Sequence, residues 1–147
     1  MKSLERVEES LAKIRSIDHD GYKLNSVIAL SEDAIEHAKF LEKNNRDLPL
    51  QGLPILIKDN IEVQGLPATA GSLALVNTPI QKDSTIAQRL REAGAVIIGA
   101  TNLSERANIR STKSTSGWSA VGGLTANPWI HGHSAGGSSS GSGAAVA

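Results

Sequence analysis

Apolar Leu4, Val7, Leu11, Ile14 and Ile17 recur every three or four residues among charged ones, which predicts an amphipathic helix capped by Ser3 and ending near Gly21. The short apolar run SVIAL follows and predicts a strand. Ser31, Glu32 and Asp33 then place acid at the positive end of a second helix, with Lys39 and Lys43 near its close. After the turn-rich stretch RDLPLQGLP, the run Pro54 to Ile57 predicts a buried strand that leads directly into Lys58, Asp59 and Asn60. Ser84 caps a helix carrying Ile86, Ala87 and Leu90, Gly94 is its left-handed stop, and Ala95 to Ile98 form the next strand. Helix and strand alternate, so the expected fold class is α/β, a sheet packed by helices. No internal repeat or linker interrupts this part of the chain.

Composition removes several function classes. The 15 Lys and Arg balance the 15 Asp and Glu, so no long-range field gathers nucleic acid or an anionic membrane. There is no cysteine, which excludes a disulfide framework, a thiolate metal site and a cysteine nucleophile. The first residues, MKSLERVEES, mix charges of both signs where a signal peptide has an apolar core, and no later apolar run is long enough to span a bilayer. A soluble, cytoplasmic protein is expected.

From Arg110 onward Ser, Thr and Gly crowd the chain, first in RSTKSTSGWSAVGGLTANPW and again in HSAGGSSSGSGAAVA. A flexible linker has this composition. The Ala-Ala-Val-Ala that follows wants a helix or a core, however, and Gly and Ser before a helix start can form a close-packed turn whose N–H groups and hydroxyls face a ligand. Both readings stay open on composition alone. The chain stops at Ala147 inside an apolar, small-residue run with no cap, glycine stop or polar tail, so a truncated sequence is expected.

The ordered blocks GLPILIKDN, GATNLSERAN, TANPW and GGSSSGSGAAVA resemble the signature of the amidase-signature family, over roughly the two-thirds of the chain from Leu50 to the end. The segment NIRSTKSTSGWSAVGG, with GSSSGS where GSSGGS is commoner, is most similar to the bacterial peptide-amidase-like branch. Glutamyl-tRNA amidotransferase A-type subunits and fatty acid amide hydrolase are more distant relatives. The fold implied is the N-terminal part of the amidase-signature fold, a mixed central sheet flanked by helices on both faces. Residues 1–48 are expected to form an N-terminal helical region and 49–147 the catalytic core, truncated at its C-terminus.

The resemblance implies a Ser-Ser-Lys triad in place of Ser-His-Asp. Lys58 holds the lysine position, where burial by Ile55 to Ile57 and nearby hydroxyls must lower its pKa before it can act as a base. Read without the family, Lys58 is an exposed strand-end residue paired with Asp59. The second member, a serine held by a cis peptide bond, is Ser138 after Gly136 and Gly137; placed between lysine and nucleophile, it passes a proton each way. Ser139 supports the network by hydrogen bonding. Both serines can equally cap the helix that follows. The acylated serine and its oxyanion donors are expected roughly two dozen residues past Ser138, beyond Ala147, so these residues alone are not expected to turn over. Two departures stand out: Ser140 where many relatives have glycine, and Gly143 where many have alanine.

The stretch Ser114 to Ser119 corresponds to a region that lines the acyl pocket in relatives. It implies substrate contacts from Ser116 and Gly117 together with Gly136 and Gly137, and a plain surface loop is the alternative. His131 and His133 sit in a Gly-rich loop without an acidic partner, so no metal is assigned. Asn102-Leu103-Ser104 matches a glycosylation pattern but reads better as a helix start.

The expected reaction is hydrolysis of a carboxamide to acid and ammonia without a cofactor. The expected partners are a small-molecule or peptide amide substrate and, for the full-length parent, a second copy in a homodimer; nucleic acid is not contacted directly and no membrane is involved. Two other readings remain: a glutamyl-tRNA amidotransferase A-type subunit, and a noncatalytic fold remnant or interaction module. A sheet lacking its later strands leaves unpaired edges, so the isolated chain is expected to aggregate.

Overall fold

The computed structural model describes residues 2–44 and 47–147. Arg46, which opens the RDLPLQGLP turn, lies outside them. Helix α1 spans Ser3–Lys13. Its cap position is Lys2, so the expectation of a Ser3 cap is corrected: Ser3 is already helical and nearly buried, seated against Gly52, where a Cβ would overlap its hydroxyl. The helix continues as a π-helical turn over Ile14–His19, closed by an Asp20 N–H to Arg15 carbonyl bond of 2.9 Å and ending at the turn around Gly21. Widening the helix rotates its faces, so Ile17 is 42% exposed while Asp18 is buried. Asp18 then accepts from the Ser26 N–H at 2.8 Å and from the Ser26 hydroxyl, fixing the entry to the first strand.

Strand β1 is Val27–Leu30, helix α2 Ala34–Asn44, strand β2 Pro54–Lys58, helix α3 Thr85–Glu92 and strand β3 Val96–Thr101. Asp33 starts α2, accepting the His37 N–H at 2.9 Å through its carbonyl. The Ser84 hydroxyl caps α3, and Gly94 takes φ +92°, the left-handed stop expected of it. The sheet order is β1-β3-β2, antiparallel between β1 and β3 and parallel between β2 and β3. This is the mixed α/β sheet expected. Its central strand is buried at every position and runs on to Thr101, past the apolar stretch that ends at Ile98.

Alternation along the strands sorts the core into two faces. On one, Leu30, Leu56, Val96 and Ile98 pack against Val7 and Leu11 of α1 and Ala38 and Leu41 of α2. On the other, Ala29, Ile55, Ile57 and Ile97 pack against Ala87 and Leu90 of α3 and against Val63 and Leu66 of the β2–α3 connection. Helices therefore flank the sheet on both faces.

Beyond β3 the chain is held differently. A short 3-10 turn at Glu105–Asn108 is broken by left-handed Arg106 and Ala107, so the helix start read at Asn102 to Ser104 opens only a kinked turn. A short hairpin pairs the two-residue strands β4, Trp118–Ser119, and β5, Gly123–Leu124, and α4, Ser140–Val146, lies against β2 and β3. The Ser- and Gly-rich stretch is thus folded structure, as the Ala-rich continuation suggested, and not a linker. Among the described residues no helix is long and apolar enough to cross a membrane.

Candidate active site

The site grows from the end of the parallel strand pair. Lys58 is the last residue of β2 and lies opposite Thr101, where the sheet's apolar ladder stops. The next residue turns away: Asp59 is fully buried, donates its N–H to the Thr101 carbonyl at 3.1 Å and accepts the Thr69 N–H at 3.2 Å and the Thr69 hydroxyl. Burial raises its pKa, against the lowering effect of the Thr69 bonds. Asp59 therefore anchors the Thr69–Gly71 turn and is not the counter-ion of Lys58. The exposed Lys58–Asp59 pair that the bare sequence also allowed is not formed.

Lys58 instead donates to Ser138 Oγ at 2.9 Å and to Ser139 Oγ at 2.9 Å. It belongs to none of the ion pairs among the described residues, and partial burial lowers its pKa from 10.5. A lysine surrounded by hydroxyls and lacking a carboxylate is easier to deprotonate than one on the surface, because desolvation penalises the ammonium and no anion compensates. The distance suits a proton in either direction: the ammonium donates to a serine oxygen, and the free amine accepts a hydroxyl proton.

The Gly137–Ser138 peptide bond is cis. Ser139 occupies the cap position of α4, but its side chain caps nothing and faces Lys58, so the capping alternative fails for this hydroxyl. Glycines permit the docking. A Cβ at Gly137 would overlap Ser104 Oγ, and one at Gly141 would overlap the Ser26 carbonyl oxygen and press on the Asn102 backbone. On the same side Ser142 Oγ meets Thr101 Oγ1 at 2.9 Å, tying α4 to the residue opposite Lys58. Ser140 is buried with its hydroxyl unpartnered among the described residues. Gly143 faces open space.

The four residues expected to touch substrate lie together beside Ser138, although several of their polar groups are engaged by the neighbouring Ser104 and Ser134. Gly117 has φ +85° and donates its N–H to Ser104 Oγ at 2.8 Å. The Ser116 carbonyl accepts from Ser134 Oγ at 2.7 Å, which in turn receives the Gly136 N–H at 3.1 Å. Ser114, Thr115 and Trp118 line a 390 Å³ cleft with Glu105, Asn108 and Arg110. A larger, mainly apolar cleft of 650 Å³ lies away from Lys58, between the π turn, the start of β2 and the end of α4. His131 and His133 are exposed on the loop before Ser134.

Sequence reasoning missed the residues that hold these parts in register. Asn102 is fully buried: its amide donates to the Asn25 and Gly123 carbonyls and to Thr125 Oγ1, and its Oδ1 accepts from Ser119 Oγ at 2.7 Å and from the Leu103 N–H. Ser104 is equally buried. The one signal for them was the polar Thr101, Asn102 and Ser104 at the end of a buried apolar strand, a place where unpartnered side chains are costly.

The architecture is that of solved amidases. It superposes on native peptide amidase from Stenotrophomonas maltophilia with TM-score 0.95 and 45% identity, over 99% of this chain and 31% of that one. On an amidase family protein from Bacillus anthracis str. Ames the values are 0.93 and 33%, over 99% and 30%. A family model described as Amidase matches residues 5–147, and the chain belongs to that family, the amidase-signature proteins. Among curated relatives, the A-type subunit of glutamyl-tRNA(Gln) amidotransferase from Exiguobacterium sibiricum is 41% identical over 149 residues, covering 100% of this chain and 29% of its own length. Its counterpart from Methanococcoides burtonii is 43% identical over 128 residues, covering 87% and 26%. The chain thus spans under a third of the length of these relatives.

Proposed function

We propose that these residues form the first part of an amidase that hydrolyses a carboxamide C–N bond to acid and ammonia, and that Lys58 and Ser138 are two members of a Ser-cisSer-Lys triad. The observation that carries this reading is the 2.9 Å contact between Lys58 Nζ and Ser138 Oγ at the edge of an amidase fold. The free amine of Lys58 takes the Ser138 proton as Ser138 takes that of a nucleophilic serine. That serine attacks the amide carbonyl, and the proton returns through Ser138 to the departing nitrogen. Water repeats the cycle on the acyl-enzyme. Ser139 holds the amine in line, and Ser116, Gly117, Gly136 and Gly137 flank the bound acyl group. On this reading no residue described here is assigned as the nucleophile or as an oxyanion donor, so these residues do not by themselves complete the triad.

Amide hydrolysis by the full-length parent should fall by about a thousandfold or more in kcat/KM for Lys58→Ala and for Ser138→Ala, on a peptide amide or a small carboxamide. Retained activity in either variant would remove the mechanism. The sequence likeness to amidotransferase A-type subunits supports a second reading, in which the same centre releases ammonia for a partner protein. Strict dependence on glutamine and on partner proteins would select it; hydrolysis of free amides by the purified parent alone would exclude it.

A further inference from the structure

We infer that Ser104 is a positioning residue which locks the Ser138 turn and the Ser116–Gly117 loop into one unit; this rests on the triad reading of Lys58 and Ser138. Ser104 lies three residues past Thr101, the strand partner of Lys58, and is 0% exposed. Its N–H donates to the Ser138 carbonyl at 3.1 Å, so the backbone of the bridging serine hangs from the same strand end that is bonded to the lysine strand. Its hydroxyl accepts the Gly117 N–H at 2.8 Å and lies 3.4 Å from Ser116 Oγ. Gly137 closes over that hydroxyl with no room for a Cβ.

One buried side chain therefore touches each segment expected to hold substrate, while its own backbone holds the proton carrier. The rest of the strand end reinforces the unit. The Asn102 carbonyl accepts the Gly141 N–H at 3.0 Å, and the Thr101 carbonyl accepts that of Asp59, so residues 101–104 span the gap between Lys58 and Ser138. Removing the Ser104 hydroxyl leaves the Gly117 N–H without its acceptor in a buried place and frees the loop to shift against Ser138. A displaced proton carrier slows chemistry more than it weakens binding, because alignment of the reacting groups is what it supplies.

The test is steady-state kinetics on the full-length parent carrying Ser104→Ala, with Ser104→Cys as a near-isosteric variant whose sulfur is a poor acceptor for the Gly117 N–H. We expect kcat to fall roughly 10- to 100-fold in both, with KM changed by less than about threefold, after normalising to folded protein. Should Ser104→Ala fail to fold, Ser104→Cys carries the test alone. If Ser104→Cys keeps kcat within about twofold of the parent, or loses only KM, the positioning role is refuted. Lys58→Ala measured alongside separates the levels: loss of activity in Lys58→Ala with full activity in Ser104→Cys overturns this inference alone, whereas an active Lys58→Ala overturns the triad beneath it.

Discussion

The sheet up to Ile98 and the turns from Thr101 to Gly141 solve different problems with different chemistry. In the first region apolar side chains alternate onto two faces and are buried by helices, so position is set by hydrophobic contact and is tolerant of small shifts. In the second, hardly any large apolar side chain is buried; Asn102, Ser104, Ser119 and Thr125 are, and each is hydrogen-bonded. Hydrogen bonds are directional and fail steeply with angle, so this region gives up non-specific stabilisation for registration. Lys58 and Ser138 sit one on each side of that boundary. The amine comes from the greasy strand, and the hydroxyls come from the polar turns.

The contrast can be broken by removing one side chain from each region. Ile97→Ala, in the fully buried central strand, should destabilise the full-length parent by about 2–5 kcal/mol in urea unfolding, with kcat of the remaining folded protein little changed. Asn102→Ala should cost about 3 kcal/mol by the same measurement, since it strands Ser119 Oγ and two carbonyls in the interior, and should lower kcat as well. Equal kinetic effects from the two variants would erase the distinction. Glycines in α4 sharpen it on a finer scale. Gly141→Ala drives a methyl into the Ser26 carbonyl and should destabilise by about 1–3 kcal/mol, while Gly143→Ala meets open space and should stabilise by about 0.5–1 kcal/mol through helix propensity, both read as shifts in thermal midpoint.

The same contrast explains how much was legible beforehand. Strand and helix identities up to Ile98 follow from apolar period and from Ser84 and Gly94, because burial of alternating faces imposes that period. The π turn escaped, since nothing in the spacing of Ile14 and Ile17 reveals that Asp18 is needed inside to hold Ser26. Past Thr101 the pattern is nearly blind. Serine, threonine and asparagine bond to whatever the tertiary fold brings near, so composition left both linker and site open. Only the family resemblance singled out Lys58, Ser138 and Ser139, which the fold brings together. That Asn102 and Ser104 knit the turns to the strand was invisible, because their partners lie up to 77 residues away.

The central claim is that Lys58 is poised as a base, and titration of its side chain by nitrogen- or carbon-detected NMR in the full-length parent tests it most directly. Burial without a carboxylate partner predicts a midpoint below the ordinary 10.5. Activity should then fall as the pH drops through that same midpoint, because the protonated amine can no longer accept from Ser138. A midpoint at or above 10.5, or an activity profile whose acid limb lies elsewhere, would contradict the account.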